Sequence, residues 1–116
     1  MSAFYSLKIN FRGDGIGEKI TAIIGEKPNA EHSSWELERA IQEGEMYTDY
    51  ISYFLNLLDG NYDKLSTLGI ERDHISIWLL YEYAQQCNME FLPHHMKRMG
   101  ENGIVLCISC WQKDSL

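Results

Sequence analysis

The chain has 116 residues, a length that fits one domain, because compact domains commonly run to about 100–150 residues. Hydrophobic residues make up 45% of it and charged residues 23%, a balance typical of a folded globule rather than a disordered segment. The formal net charge of -7 argues against a nucleic-acid-binding protein, since binding phosphates requires a basic surface. The same charge permits a basic protein partner.

Three further features of the sequence bear on where the chain acts. No apolar run approaches the roughly 18 residues of a membrane-spanning helix, so we expect no membrane partner. The start, Met1-Ser2-Ala3-Phe4, lacks the charged and apolar regions of a secretory signal. The cysteines are odd in number (Cys87, Cys107 and Cys110), unlike a disulfide scaffold. We therefore expect a cytoplasmic protein with reduced thiols.

The first part of the chain alternates between strand and helix patterns. Residues 4–12 have period two, which predicts a half-buried strand. Its apolar face consists of Tyr5, Leu7, Ile9 and Phe11. A glycine-rich turn at 13–17 precedes a short helix with isoleucines at 20, 23 and 24, which Gly25 ends. Residues 29–34 read as a loop. Residues 35–41 are predicted as a second strand, with a helix as the alternative.

The second part begins with the longest periodic block, at about residues 47–68. Its interruption at 59–61 predicts two helical pieces, with Thr48 as a possible N-cap. Residues 74–84 predict a central strand, because apolar side chains occur on both of its faces. Pro93 suits a first helical turn, and residues 94–99 predict a short helix closed by Gly100. The last strand is predicted at 104–111.

These elements predict an α+β fold over residues 1–116, as a single domain. Long amphipathic strands and one-sided helices fit one sheet of about four strands with helices packed mainly on one face.

The order of several motifs resembles a small bacterial family known as domain of unknown function 4279. The resemblance begins with Tyr5-Ser-Leu-Lys-Ile9 and continues through Ile20-Thr-Ala-Ile-Ile-Gly-Glu-Lys-Pro28, which is similar to the family's Ile-Thr-x-x-Leu-Gly-x-x-Pro signature. Trp35, the leucine-rich helix before Leu68-Gly69, the 75–83 strand and the segment from Met96 to Ile108 extend it over most of the chain. The resemblance implies a compact α+β domain without a settled activity. It also implies an immunity protein, since such domains look like those found beside bacterial toxin genes.

Two local motifs contain side chains capable of metal or redox chemistry. Cys107 and Cys110 have a C-x-x-C spacing, but within a strand this places the side chains on opposite faces, so we predict buried structural cysteines. His94 and His95 with Glu90 could suggest a metal or acid–base site. Adjacent helical residues diverge by about 100°, so we predict exposed histidines at a polar helix start. No metal or cofactor is predicted.

The glycines at 13, 15 and 17 follow a strand and precede a helix, which is the position of a phosphate-binding loop. The spacing lacks the final G-x-x-G and a lysine, and the neighbouring Asp14 and Glu18 would repel phosphate. A flexible turn is therefore the preferred interpretation.

An acidic stretch between residues 26 and 49, followed by tyrosines, has the features of a surface that binds a basic protein. Carboxylates steer association, and aromatic side chains anchor it. The alternative is that the charges only solvate the domain while the tyrosines pack into the core. The candidate partner-binding residues are Glu31, Glu36, Glu38, Glu43, Glu45, Tyr47, Asp49 and Tyr50.

The sequence therefore favours a non-enzymatic binding module, an immunity protein that neutralises a cognate toxin domain of basic character. Two alternatives stay open. One is an enzyme or small-ligand domain that uses Asp14, Glu90, His94 and His95. The other is a homodimer formed through a long strand edge or through the face that carries Trp78 and Trp111.

Overall fold

The computed structural model describes residues 3–31, 34–41, 49–86 and 88–112. Five strands and four helices lie within these ranges, together with a 3-10 turn at Arg72–His74. The elements in chain order are β1 (Ala3–Asn10), α1 (Ile16–Ile24), β2 (Ala30–Glu31), β3 (Ser34–Ala40), α2 (Asp49–Leu58), α3 (Tyr62–Ser66), β4 (Ile75–Tyr83), α4 (Pro93–Asn102) and β5 (Val105–Gln112).

The strands form one mixed sheet in the order β2-β3-β1-β4-β5. β1 lies in the centre and pairs antiparallel with both β3 and β4, while β5 pairs parallel with β4 after the crossover through α4. The predicted α+β class with one sheet is confirmed. The fifth strand is β2, which has only two residues and falls where the sequence suggested a loop.

One face of the sheet forms the core with all four helices. Leu37, Leu7 and Ile77 lie opposite one another on three adjacent strands and are fully buried. Each helix adds apolar residues to the same cluster, for example Ile20 of α1, Phe54 of α2, Leu65 of α3 and Met99 of α4. The predicted packing of helices on one face is confirmed.

The other face of the sheet, here called the open face, has a mixed character. Alternation along the strands places on it the following side chains: Phe4, Ser6, Lys8, Glu36, Glu38, Ser76, Trp78, Leu80, Glu82, Val105, Cys107, Ser109 and Trp111. Trp78 and Leu80 are half-buried, whereas Val105 and Trp111 are exposed.

Three predicted details are corrected by the structure. The last helix does not end at Gly100 but continues to Asn102, where Gly103 provides the left-handed conformation (φ 68°) that closes a helix. His95 is not an exposed histidine: it is buried, at 3% exposure, although its neighbour His94 is exposed. The cysteines lie on opposite faces as predicted, but Cys107 is only half-buried and Cys110 is exposed because β5 is an edge strand.

The two helical pieces predicted for residues 47–68 are confirmed as α2 and α3, which are separated by the turn at 59–61. Thr48, the predicted N-cap, lies outside the described residues. Within the described ranges, no helix has both the length and the apolar character needed to cross a membrane.

A polar cluster joins α3 to α4. The Tyr62 hydroxyl donates a hydrogen bond to Asn102 Oδ1 (2.7 Å), and the Arg72 guanidinium lies over the Tyr62 ring, 3.6 Å from its centroid. Arg72 also donates to the Asn102 carbonyl. Burial raises the pKa of Tyr62 above its ordinary value of 10.0, although Arg72 acts in the opposite direction.

This pKa shift predicts an alkaline loss of stability. Because the folded chain holds the Tyr62 proton more tightly than the unfolded chain, the stabilisation is complete below pH 10.0 and is lost as the pH rises through the folded pKa. At neutral pH, Tyr62→Phe is expected to cost about 1 kcal/mol for the lost hydrogen bond. Urea unfolding at increasing pH should show this difference shrinking above pH 10.0; parallel stability curves would contradict the prediction.

Candidate functional site

Three of the predicted carboxylates, Glu31, Glu36 and Glu38, lie at the β2–β3 edge of the sheet and are here called the acidic edge. Glu31 and Glu38 are exposed, and Glu36 is half-buried. None of the three forms an ion pair with another residue of the described ranges. No residue of the described ranges therefore neutralises the acidic edge through an ion pair.

Glu36 and Glu38 share the open face because they are two residues apart on β3, which separates them by about 7 Å. Lys8 lies directly opposite Glu36 on β1 and is the nearest candidate for neutralising it. However, the Lys8 ammonium lies over the Trp78 ring instead, 5.7 Å from its centroid. Glu36 accepts a hydrogen bond only from the neighbouring Ser34 hydroxyl (3.3 Å) among the contacts of the described residues.

Glu31 belongs to the other face of the same edge. Its cross-strand partner is the buried Trp35, so its side chain is directed towards the helix layer. There it packs against Gly17 of α1: a methyl group added to Gly17 would lie 2.0 Å from Glu31 Oε1. The glycine at this position therefore gives Glu31 its place beside the first turn of α1, where a negative charge is favourable.

The segment between α1 and β3 holds the acidic edge in place. The Asn29 backbone N–H donates to the Glu36 carbonyl (2.7 Å), and Asn29 Oδ1 accepts from the Glu38 backbone N–H (2.8 Å). The Trp35 indole N–H donates to Thr21 Oγ1 (2.9 Å), which ties the buried end of β3 to α1. These bonds fix the backbone on which the three carboxylates are carried.

A cavity of about 310 Å³ lies beside Glu31, between α1 and the 27–31 segment. Glu18, Thr21, Lys27, Pro28, Asn29, Ala30 and Glu31 line it. Its volume is at the lower end of the range for ligand pockets, and two carboxylates and one ammonium group provide its charges. It could therefore accept one basic side chain.

The acidic stretch is not uniformly available for binding. Glu26 forms an ion pair with Arg39 (3.4 Å), and Arg39 also donates to the Tyr53 hydroxyl (3.1 Å). The Arg39 guanidinium lies 5.5 Å from the centre of the Tyr53 ring. This group links β3 to α2 on the helix face, so Glu26 is neutralised within the fold.

The remaining predicted binding residues are placed as follows. Tyr50 is half-buried, stacks on Tyr5 with 5.7 Å between ring centroids, and donates to the Ala40 carbonyl (3.3 Å). Its ring thus contributes to packing. Asp49 begins α2, but its side chain lies outside the description, and Glu43, Glu45 and Tyr47 lie outside the described residues altogether.

The predicted divergence of His94 and His95 is wrong for their rings, which lie 4.0 Å apart between centroids. The four residues proposed for an enzyme or small-ligand site are nevertheless not brought to one place, because Asp14 is separate from the other three. Asp14 follows the end of β1, whereas Glu90, His94 and His95 follow the end of β4, and β1 and β4 are antiparallel neighbours. The chain therefore leaves the sheet at opposite ends before these residues. The described ranges also contain no cluster of three or more His, Cys, Asp or Glu side chains that could hold a metal ion.

A second cavity, of about 810 Å³, lies at the end of β1 and shares no residue with the acidic edge. Asn10, Phe11, Arg12, Leu68, Gly69, Ile70 and His74 line it. Sequence patterns did not single out these residues, because they come from three separate turns that only the fold brings together. The same reason explains why Thr21, Lys27 and Asn29 were missed beside the acidic edge.

Comparison of the chain with protein-family models found no match. Comparisons with curated proteins and with solved structures found no match either. The resemblance to family 4279 of the domains of unknown function therefore stays a prediction.

Proposed function

We propose that the chain is a non-enzymatic binding module, a cytoplasmic immunity protein that binds and neutralises a basic bacterial toxin through its acidic edge. The observation that carries the proposal is the placement of Glu31, Glu36 and Glu38 on a fixed sheet edge without a described cation partner. The toxin as partner rests on the resemblance to family 4279, and its basic character rests on charge complementarity.

The geometry supports a partner that contacts the acidic edge on both faces of the sheet. Glu36 and Glu38 present their carboxylates on the open face, and Glu31 presents its carboxylate beside the cavity at α1. A nuclease toxin would fit this arrangement, since a surface that holds phosphates is rich in lysine and arginine. The immunity protein would cover that surface and keep the nucleic acid away from it.

The test uses the tagged chain as bait in a lysate of its host, and the candidate toxin is the basic protein that it retains in a one-to-one ratio. The double variant Glu36→Lys/Glu38→Lys is expected to weaken binding to that purified protein by tenfold or more, or about 1.4 kcal/mol. Asp14→Lys/Glu101→Lys changes the net charge by the same amount on exposed residues elsewhere and should bind as the wild type does.

Two further results are expected. Raising the salt from about 0.1 M to 1 M should weaken the complex, since exposed charges are then screened beyond about 3 Å. Co-expression of the wild type, but not of the Glu36→Lys/Glu38→Lys variant, should restore growth of cells that produce the retained protein. Equal binding by both double variants, or retention of no basic protein, would overturn the proposal.

A further inference from the structure

The outer edge of β5 lies at the opposite side of the sheet from the acidic edge and has no role in the proposed toxin binding. β5 is the last strand of the sheet order, and β4 is its strand partner among the described residues. Its eight residues contain no charged side chain and no proline, the features that commonly prevent an edge strand from pairing. The opposite edge differs, because β2 has only two residues. β5 is therefore the edge suited to adding another strand.

Exposed apolar side chains are concentrated on the same strand. Val105 is 55% exposed, Ile108 45% and Trp111 41%, and these are three of the five large hydrophobic residues classed as exposed in the described ranges. Val105 and Trp111 lie on the open face, whereas Ile108 lies on the helix face. An occupant of this edge should therefore cover apolar side chains on both faces.

We propose that the chain forms a homodimer in which β5 of one copy pairs antiparallel with β5 of a second copy, so that the two sheets become continuous. The two-fold axis is perpendicular to the sheet and passes midway between Ile108 of one copy and Ile108 of the other. In this register Ile108 lies opposite Ile108 of the second copy, and Val105 lies opposite Trp111. Directly opposite residues share a face in an antiparallel pair, so each exposed apolar side chain of β5 meets another.

The register is set by the same side chains. Because side chains alternate between the two faces, the two copies of β5 can shift against each other only in steps of two residues if facing side chains are to share a face. A pairing centred on Ser109 also satisfies this condition, but it separates Val105 from Trp111. The pairing centred on Ile108 is therefore the one that buries the apolar residues of β5 together.

The fold leaves room for the second copy. On the helix face, Leu106 is half-buried and packs against the core, but Ile108 is 45% exposed and Cys110 is exposed as well. The helix layer thus ends before it covers the outer part of β5. The helix face of β5 is therefore accessible to a second sheet in the same plane.

The side chains of β5 themselves add no charge repulsion between two copies. A neutral strand opposite itself creates no pair of like charges, although each copy as a whole carries -7. Seven paired residues form a contact about 24 Å long and one sheet thick, about 10 Å. This footprint is smaller than the roughly 800 Å² per partner of standard interfaces, so we expect a weak dimer that dissociates on dilution.

Sedimentation of the full chain over a concentration series from about 1 to 100 μM should therefore show conversion from monomer to dimer. Ile108→Lys places two ammonium groups opposite each other at the axis and is expected to keep the chain monomeric over this range. Met96→Lys introduces the same charge at an exposed apolar residue of α4 and should leave the dimer intact. Circular dichroism confirms that each variant is folded.

A crosslinking variant tests the register. Opposite Cα atoms in an antiparallel pair are about 4.5–5.5 Å apart, within the range that a disulfide spans. With the native cysteines replaced by serine, Ile108→Cys should form a covalent dimer on mild oxidation, and Met96→Cys should not.

Added salt distinguishes the dimer from toxin binding at the acidic edge. Screening should weaken toxin binding, but it reduces the repulsion between two negatively charged copies and should strengthen the dimer. Glu36→Lys/Glu38→Lys should remain dimeric. A monomer at all concentrations, or a dimer that persists with Ile108→Lys, would overturn the β5 pairing and leave the proposed toxin binding untouched.

Discussion

Replacing Trp35 with alanine is expected to lower the free energy of unfolding by about 3–5 kcal/mol, the range for removing a buried aromatic side chain. Trp35 is fully buried, and its indole N–H donates to Thr21 Oγ1 across the β3–α1 contact. The variant loses apolar burial, leaves a cavity and leaves Thr21 without its donor. Since small domains are stable by only about 5–15 kcal/mol, this is a substantial fraction of the total.

Urea unfolding of Trp35→Ala measures the effect, and two matched variants divide it. Trp35→Phe retains most of the ring but has no N–H donor, and Thr21→Val removes the acceptor. Each is expected to cost less than Trp35→Ala, and their double variant should be less destabilised than the sum of the two. A cost below about 1 kcal/mol for Trp35→Ala would contradict the packing described for β3.

Leu7→Ala is the second change with a large expected effect. Leu7 lies in the central strand and is fully buried between Leu37 and Ile77, so the lost contacts and the cavity should cost about 2–5 kcal/mol. The matched control is Leu80→Ala on β4, which removes the same atoms from the half-buried open face. We expect Leu80→Ala to lower the free energy of unfolding by less than half as much as Leu7→Ala does.

Chemical unfolding of both leucine variants under identical conditions decides between one buried face and two. Equal losses from Leu7→Ala and Leu80→Ala would mean that the open face is as well covered as the helix face. Such a result would also mean that Trp78 and Leu80 are not accessible to a binding partner.

The strands were predictable because side-chain alternation is a property of the strand itself. Tyr5, Leu7 and Ile9 recur with period two, and one buried face is the only arrangement that satisfies that pattern. β2 was missed because two residues are too few to show a period. Gly100 was misread as a helix end because a sequence does not reveal which glycine adopts a positive φ.

The sequence predicted an acidic surface with adjacent tyrosines, but not which of its carboxylates lie together in the fold. Glu36 and Glu38 share a face by their spacing alone, whereas Glu31 reaches the other face because β2 pairs with Trp35 in a register that the sequence does not display. The two apolar faces of residues 74–84 correctly predicted an inner strand, since β4 lies between β1 and β5. The cysteines of β5 were expected to be buried because free cysteines usually are, but β5 lies at the edge of the sheet.

The central position of β1 has a consequence for how the chain folds. The sheet divides into two parts that are each local in sequence, β1 with β3 and β4 with β5, and the pairing of β1 with β4 joins them. That pairing brings together residues as distant in sequence as Ala3 and Tyr81, so it closes the longest loop and carries the largest entropic cost. We therefore expect the two halves to acquire structure early and the joining of β1 to β4 to limit the rate at which the native sheet appears.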